Sequence, residues 1–210
     1  MKYKIIQTGS KGNAVVYDDV MIDCGVSYSK IPHNIKLILL THIHKDHFNT
    51  DTLIRLSMTR DIQIACCGWL SDKLTELGIN HDVLEVRKTY DYEFCKVTPV
   101  LLYHDVQNCG YRLYIGDEKI FHATDTFTLE GISANGYDVY GIEFNYDDET
   151  IHDLIREKEE RGEYSYEKGA INSHLSFQKA QEFYDKNKKE SSELIKLHMS
   201  SRYDKVNIAK

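Results

Sequence analysis

The chain has 210 residues, of which 41% are hydrophobic and 28% are charged, and its formal net charge is −7. This composition excludes a disordered chain, and no apolar run reaches the roughly 18 residues that a membrane span needs. The acidic balance disfavours an extended basic surface for gripping long nucleic-acid duplexes, but it does not exclude a small phosphate-bearing ligand.

The sequence offers no internal boundary. It contains only two prolines and no glycine- or serine-rich stretch, so we predict a single domain over residues 1–210. The N-terminal segment lacks the apolar core of a signal peptide, which favours a cytoplasmic protein without membrane attachment. The cysteines form no CxxC pair and are interpreted as reduced, buried thiols: Cys24, Cys66, Cys67, Cys95 and Cys109.

The first half of the chain is predicted to contain strands and then helices. Short apolar stretches rich in β-branched and aromatic residues, separated by turn residues, predict strands in KYKIIQT, NAVVYDD, VMIDCG and IKLILLTH. Apolar spacing with capping signals predicts helices in TDTLIRLSM, which opens on a Thr/Asp cap, and in WLSDKLTELG, with the strand QIACC between them.

The second half repeats this organisation. Strands are predicted in FCKVTPVLLYHD, GYRLYIGD, EKIFHATDT, YDVYGIEFNYD and SELIKLHMSSRY. An exposed helix is predicted in DDETIHDLIREKEERG, and a second helix in SFQKAQEFYDKNKK with Ser176 as its N-cap. Two strand-rich halves, each followed by helices, predict an α/β fold with two packed sheets and helices outside them, a four-layer αββα sandwich.

The loop THIHKDHFNT, residues 41–50, is dense in residue types that bind metals, with His42, His44, Asp46 and His47. Because His42 and His44 alternate along an extended segment, both rings can face the same way. The two residues beyond them can turn toward a second point, so the spacing favours two neighbouring ions over one. Imidazole and carboxylate donors suit Zn²⁺ first, or Mn²⁺ or Fe, rather than Ca²⁺.

Four donors are too few for two ions, so further ligands are expected downstream. The candidates are His104, Asp125 and His198, because each follows an apolar strand as the first group does. A histidine without this context is more often a surface or hydrogen-bonded residue than a ligand, and four are interpreted in that way: His33, His81, His122 and His152.

The arrangement His42-x-His44-x-Asp46-His47 resembles the signature of the metallo-β-lactamase superfamily. The resemblance extends along the chain through TGSKGNAVVYDDVMIDCGVSYSKI, HDVQNCGYRLYIGDEKIFHATDT, IEFNYD, NSHLSFQKAQEF and LIKLHMSSRY. These segments are most similar to the phosphodiesterase and nuclease branch, in particular to proteins related to the Wal-operon exonuclease and the phosphonate-pathway cyclic phosphodiesterase. The similarity to tRNase Z is more distant.

This resemblance implies the αββα fold and a set of ligands for two divalent metal ions. His42, His44 and His104 hold one ion. Asp46, His47 and His198 hold the other ion, and Asp125 bridges the two. It also implies that Asp23 supports the ligands from behind. Because Asp125 stands where one large class of true β-lactamases has a cysteine, the sequence does not resemble an antibiotic hydrolase.

The same resemblance implies hydrolysis of a nucleotide phosphodiester by a metal-bridging hydroxide, which Asp46 and Asp125 position. His174 is not needed to complete either ion and resembles a histidine that contacts the scissile phosphate or protonates the leaving oxygen. Glu143 is expected to hydrogen-bond His174 or a ligand histidine. The simpler interpretations are a residue beside a helix cap for His174 and a surface acid for Glu143.

Several alternatives stay open. The substrate is expected to be a nucleic-acid end or a small cyclic nucleotide, yet Tyr146 and Phe177 depart from the relatives' pattern at the expected pocket wall. A thioester hydrolase of the glyoxalase II type shares these ligands, although His104 stands in a Tyr-His-Asp rather than a Gly-His-Thr context. A non-catalytic nucleotide-binding protein is a third possibility. Lys11 is either a phosphate contact or a solvated side chain, and a homodimer is compatible with the sequence.

Overall fold

The computed structural model describes residues 2–200 and contains two mixed β-sheets with helices between their strands. The chain divides into two compact units. One unit comprises the chain up to Leu101 together with Cys109–Asp117. The other comprises Leu102–Asn108 and the chain from Glu118 onward. The prediction of a single domain stays a prediction.

The first sheet has six strands in the order of the chain, β1 to β6. Strands β1 to β3 pair antiparallel, and β3 to β6 pair parallel. The parallel pairs need crossover connections, and helices α1 and α2 supply two of them. The bounds are β1 Tyr3–Gln7, β2 Ala14–Tyr17, β3 Val20–Ile22, β4 Leu37–Leu40, α1 Thr50–Thr59, β5 Gln63–Cys67, α2 Gly68–Glu76 and β6 Asp82–Leu84.

The second sheet has six strands in the order β12-β11-β10-β9-β8-β7. Strand β11 pairs parallel with both β10 and β12, whereas β7 and β8 pair antiparallel. The bounds are β7 Tyr90–Tyr92, β8 Cys95–Tyr103, β9 Gln107–Ile115, β10 Glu118–Ala123, β11 Val139–Glu143, α3 Ile151–Glu160, α4 Glu167–Ser173, α5 Phe177–Asn187 and β12 Glu193–Leu197.

Each unit has its own apolar packing. In the first unit, Leu53 and Leu56 of α1 and Leu70 of α2 belong to one buried cluster with Ile38 and Ile64 of the sheet. In the second unit the packing is aromatic, and the contacting rings, whose centroids are 5.3 to 6.4 Å apart, belong to Phe121, Tyr137, Tyr140, Phe183 and Tyr184.

All five free cysteines are buried, as predicted.

The predicted strands and helices are present, with local differences. The N-cap of α1 is Asn49, whose side chain accepts a hydrogen bond from the Thr52 amide, rather than the predicted Thr/Asp pair. Ser176 caps α5 as predicted. Strands β6 and β7 and helix α4 were not predicted, because they are short and two of them are largely exposed. Residues 201–203 of the LIKLHMSSRY segment lie outside the described residues.

In residues 2–200, no helix combines the length and the apolar character needed to cross a bilayer.

Candidate metal-binding residues

The candidate ligands lie where strands end. The loop 41–50 follows β4, and His104, Asp125 and His198 follow β8, β10 and β12. Asp125 and His198 have φ of 57° and 50°, and Asp23, after β3, has φ of 62°. A left-handed conformation costs a non-glycine residue about 1 kcal/mol or more, so it persists only where the surrounding contacts impose it. Such backbone strain is common at functional sites.

In the first unit, Asp23 holds the histidine loop in place through hydrogen bonds. Its carboxylate accepts hydrogen bonds from the Thr41 amide at 2.9 Å, from the Thr41 hydroxyl at 2.9 Å and from His47 Nδ1 at 2.6 Å. The Thr41 hydroxyl donates to Asp23, so it accepts from His42 Nδ1 at 2.9 Å. Both rings are therefore protonated at Nδ1, which leaves Nε2 in the form that binds metals.

The rings of this loop lie close together. The ring centroid of His42 is 4.8 Å from that of His44 and 4.1 Å from that of His47. His47 Nε2 lies 3.5 Å from Asp46 Oδ2. The four residues that the sequence singled out in this loop are thus grouped within the first unit.

A close backbone contact holds the loop against the turn before β2. The Asn13 amide nitrogen donates to the Asp46 carbonyl at 2.6 Å, and the Gly25 amide donates to the Asn13 carbonyl at 2.9 Å. A Cβ atom at Gly25 would lie 1.7 Å from the Asp46 carbonyl oxygen, so only glycine fits there. The Asn13 side chain also lies 2.8 Å from His47 Nε2 and 3.1 Å from Asp46 Oδ2.

In the second unit, Asp125 is the centre of a histidine cluster. Its Oδ1 lies 3.4 Å from His198 Nε2, 3.7 Å from His174 Nδ1 and 3.9 Å from His104 Nε2. The Asn108 side-chain amide donates to the carbonyl oxygens of Thr124 and Asp125 at 3.0 and 2.6 Å. These hydrogen bonds fix the backbone that aims the carboxylate at the three rings.

His104 is fixed by a backbone carbonyl. Its Nδ1 lies 2.8 Å from the carbonyl oxygen of Ser173, which is the last residue of α4. Because a carbonyl can only accept, Nδ1 carries a proton, while Nε2 lies 3.1 Å from Asp105 Oδ1 and 3.9 Å from Asp125 Oδ1. Burial lowers the pKa of His104, which favours the neutral imidazole that metals bind.

Glu143, at the end of β11, is a fully buried carboxylate that accepts hydrogen bonds from several directions. His174 Nδ1 lies 2.6 Å and His198 Nδ1 3.2 Å from its Oε1, while the Thr126 and Leu175 amides donate to Oε2. Burial acts to raise the pKa of Glu143, but His174 and the hydrogen bonds hold that pKa below its ordinary value. The ionised carboxylate is therefore the stable form.

The same contact acts on the ring of His174. Burial acts to lower the pKa of His174, but the charge of Glu143 and the hydrogen bond raise that pKa above its ordinary value. His174 is oriented through Nδ1 by a negative group, the arrangement that supports an imidazole in proton transfer.

The donor set of the second unit fits a divalent metal. Asp125, Glu143, His174 and His198 each offer one ligand atom, and these atoms all lie within 4.8 Å of one another. Neutral imidazole with carboxylate is a donor combination suited to zinc, manganese or iron. Both His174 and His198 turn Nδ1 toward Glu143. His198 also presents Nε2 to Asp125 at 3.4 Å, whereas His174 approaches Asp125 through the same Nδ1 that is hydrogen-bonded to Glu143.

Other residues singled out in the sequence lie as follows. Phe177 lines a cavity of about 440 Å³ together with Phe144, Lys196 and Met199, and Tyr146 is buried and is absent from that lining. Lys11 is exposed. Of the histidines interpreted as non-ligands, His81 is hydrogen-bonded to Ser71 and Ile79, and His122 is buried in β10, whereas His33 and His152 are exposed.

The supporting residues Asn13, Thr41, Asn108 and Ser173 were not predicted from the sequence. Thr41 directly precedes the first histidine, and Asn13 ends the GSKGN turn. Their positions next to these motifs were the only features of the sequence that could have indicated a supporting role. Ser173 acts through its carbonyl oxygen, which every residue has, and no sequence pattern reveals that contact.

Comparisons with known proteins bear on the family and the fold of this chain. The family described as Beta-lactamase superfamily domain matches residues 20–199. The metallo-β-lactamase fold protein YhfI from Bacillus subtilis is 15% identical over 94% of this chain and 85% of its own, with a TM-score of 0.70. The short form of human tRNase Z is 18% identical over 96% and 94%, with a TM-score of 0.69.

A third solved structure, a diphosphatase from the PhnP family, is 14% identical over 99% of this chain and 90% of its own, with a TM-score of 0.70. At these identities the likeness shows the fold, and the fold is the αββα sandwich that the sequence predicted. The family match covers most of the chain, including every candidate ligand. The chain belongs to the metallo-β-lactamase superfamily.

Proposed function

We propose that this protein is a metal-dependent phosphodiesterase that uses two ions to hydrolyse a nucleotide substrate. Membership of the superfamily and the candidate histidine and carboxylate ligands support a metal-dependent hydrolase. Among the structurally similar proteins, tRNase Z and the PhnP-family diphosphatase are named for action on phosphate-containing substrates. Because the fold alone does not select phosphodiesters as substrates, this part of the proposal rests on residues of this chain.

The proposed ligands are those that the resemblance implies: His42, His44 and His104 for one ion, Asp46, His47 and His198 for the other, and Asp125 for both. Zinc is the first choice, with manganese or iron as alternatives. Ions held in this way supply an activated water and a positive charge for the phosphate oxygens. Within the chain, Asp46 and Asp125 would position that water.

The observation that carries the phosphodiesterase proposal is the hydrogen bond of 2.6 Å between His174 and Glu143. Hydrolysis of a diester needs a proton for the departing alkoxide oxygen, and an imidazole whose Nδ1 is held by a carboxylate can deliver one from Nε2. Glu143 keeps the ring oriented and stabilises its charged form. His174 lies beside Asp125, so this proton donor stands next to a proposed ligand of both ions.

The test measures metal content and then the release of p-nitrophenol from bis(p-nitrophenyl) phosphate. We expect about two ions per chain and metal-dependent turnover. His174→Ala should retain the metal but lower kcat roughly 100-fold on a dinucleotide such as thymidylyl-thymidine, whose departing alkoxide needs a proton, because general acid catalysis typically contributes about 10²- to 10⁴-fold. The matched control is His152→Ala, which removes an exposed histidine.

The outcomes separate the alternatives. A two-metal protein that hydrolyses no diester would overturn the phosphodiesterase proposal. Hydrolysis of a thioester such as S-lactoylglutathione without diester hydrolysis would support the glyoxalase II type, and tight nucleotide binding without turnover would support a binding protein. Unchanged activity in His174→Ala would remove only the role proposed for this residue. The cytoplasmic location, the short nucleotide substrate and a homodimer remain predictions from the sequence.

A further inference from the structure

Two exposed aromatic rings of the second unit belong to residues that adjoin proposed ligands in sequence. Tyr103, at the end of β8, is 46% exposed, and Phe127 is 40% exposed. Their ring centroids are 5.9 Å apart and the ring planes are inclined by 52°. A single exposed aromatic residue is ordinary, but two that contact each other form an apolar surface of aromatic character.

The backbone holds this pair in place. The Phe127 amide donates to the Tyr103 carbonyl at 3.0 Å, and the Tyr103 amide donates to the Thr126 hydroxyl at 3.1 Å. The Thr126 hydroxyl in turn donates to the Thr128 carbonyl at 2.8 Å. The rings are therefore fixed next to each other by hydrogen bonds that do not depend on the rings themselves. A binding surface prepared in this way costs little entropy when a ligand is bound.

The position of the pair links it to the proposed reaction centre. Tyr103 directly precedes His104, and Phe127 is two residues after Asp125. Neighbouring Cα atoms are about 3.8 Å apart, so the Cα atom of each aromatic residue lies within roughly 8 Å of the Cα atom of a proposed ligand. The described chain has another contacting pair of exposed rings, Tyr164 and Tyr166, but it does not adjoin a proposed ligand in sequence.

We propose that Tyr103 and Phe127 form a stacking surface for the nucleobase of the substrate, an inference that rests on the proposed phosphodiesterase function. An aromatic base has π-faces that stack on such rings, and stacking tolerates different bases. Asp105, whose side chain is 60% exposed, directly follows His104, and its Oδ1 lies 3.1 Å from His104 Nε2. A carboxylate here repels a second phosphate, whereas an uncharged base meets no such repulsion.

This assignment narrows the substrate to a diester that carries a nucleobase next to the scissile phosphate. The base would rest on the aromatic pair while the phosphate faces the histidine cluster. The preference for substrates with a base over substrates without one would then appear mainly in KM. The rings contact the base and do not exchange a proton with the reacting atoms.

The experiment compares two substrates that share the p-nitrophenol leaving group. One is the p-nitrophenyl ester of thymidine 5′-monophosphate, and the other is methyl p-nitrophenyl phosphate, which has no base. For Tyr103→Ala and Phe127→Ala we expect KM for the thymidine ester to rise about tenfold, with kcat little changed. Tyr103→Phe should retain the KM of the unaltered protein, because the ring remains.

The methyl ester provides the internal reference. Its kcat/KM should stay within about twofold of the unaltered protein in both alanine variants, and Tyr164→Ala, an exposed paired ring outside this position, should affect neither substrate. An equal loss on both esters would mean that the substitutions disturb His104 or Asp125, and it would overturn the proposal. Unchanged KM for the thymidine ester would overturn it as well.

A binding measurement keeps this inference separate from the proposed function. Saturation-transfer NMR with thymidine 5′-monophosphate should show transfer to the base protons in the unaltered, metal-loaded protein and a clear loss in Phe127→Ala. If neither ester is hydrolysed, the phosphodiesterase proposal fails, and the NMR result still decides whether a base is bound. A fall in molar mass of Phe127→Ala in light scattering would instead assign the rings to contact with a second copy and overturn the proposal.

Discussion

Nδ1 of His174 lies 2.6 Å from Oε1 of Glu143, a carboxylate with no exposed surface. A buried carboxylate is stable only with partners that favour its charge, and Glu143 has two imidazoles and two backbone amides as partners. The residue therefore joins β11 to the segment after α4 and to the residue after β12. Glu143 is the nearer of the two carboxylates that His174 Nδ1 faces, since Asp125 Oδ1 lies 3.7 Å away.

The first prediction concerns Glu143→Gln. The amide keeps the size of the side chain but removes the charge that stabilises a protonated His174. Diester hydrolysis should fall about 10- to 100-fold in kcat, the usual cost of removing a partner that orients a functional side chain. The measurement is kcat and KM on bis(p-nitrophenyl) phosphate, with exposed Glu163→Gln as the matched control. Equal activities of the two variants would contradict the role of Glu143.

The second prediction concerns Asp23, which accepts hydrogen bonds from Thr41 and His47 beneath the histidine loop. Asp23→Ala leaves these buried donors without their acceptor, so the free energy of unfolding should fall by about 3 kcal/mol in urea denaturation. Asp23→Asn retains an acceptor oxygen and should cost less. A fall of the same size in both variants would show that the carboxylate itself, rather than an acceptor, is needed.

The sequence could predict the parts of this site that depend on local patterns, but not the contacts between residues far apart along the chain. His104, Asp125 and His198 were identifiable because strand ends follow from local apolar patterns, and the structure places each of them after its predicted strand. The contact of Asn13 with His47 spans 34 residues and that of His104 with Ser173 spans 69. Such contacts depend on tertiary packing, which no local pattern specifies.

The same reasoning explains the elements that were not predicted. Strand β7 has only three residues and none of them is buried, so it shows no apolar alternation. Helix α4 has seven residues with Gly169 in its middle, and a helix of this length is stabilised by its surroundings rather than by its own sequence. The contact between the Ser173 carbonyl at the end of this helix and His104 Nδ1 is therefore visible only in the folded structure.

The third prediction uses two glycines that meet opposite surroundings. At Gly25 a Cβ atom would lie 1.7 Å from the Asp46 carbonyl oxygen, whereas at Gly68, the first residue of α2, nothing lies within 4 Å. Gly25→Ala must displace the loop that carries Asp46, so we expect a loss of several kcal/mol in the free energy of unfolding and a lower metal content. Gly68→Ala should be neutral or slightly stabilising.

Urea denaturation and elemental analysis of both glycine variants test this prediction. If Gly25→Ala bound metal and unfolded like Gly68→Ala, the close backbone approach would not constrain the loop.

The fourth prediction concerns metal removal. An ion that binds only the folded chain stabilises it by about 2.7 kcal/mol when its free concentration is 100 times Kd. Dialysis against a chelator should therefore lower Tm by roughly 5 to 10 °C, and zinc should restore it. His198→Ala should show a smaller recovery, while His152→Ala should recover fully. The measurement is calorimetry with and without zinc, and identical recovery in the two variants would exclude His198 as a ligand.

The fifth prediction concerns pH and Asp138, which lies apart from the candidate ligands. Its carboxylate is 2.5 Å from Lys189 Nζ and accepts from the Lys119 amide at 2.9 Å. Burial acts to raise the pKa of Asp138, but the lysine and the amide hold that pKa below its ordinary value. The contact therefore stabilises the fold above the unfolded-state pKa of about 4, and this contribution disappears as pH falls through the lower folded-state pKa.

Asp138→Asn should consequently reduce the free energy of unfolding by about 1 kcal/mol at pH 7, a size expected for a partly exposed charged hydrogen bond. The difference from the unaltered protein should shrink as pH falls below the unfolded-state pKa of about 4 and through the lower folded-state pKa, because the protonated carboxyl then resembles the amide. Urea denaturation from pH 7 downward measures it, with exposed Asp72→Asn as the matched control. A difference that grew on acidification would contradict the lowered pKa of Asp138.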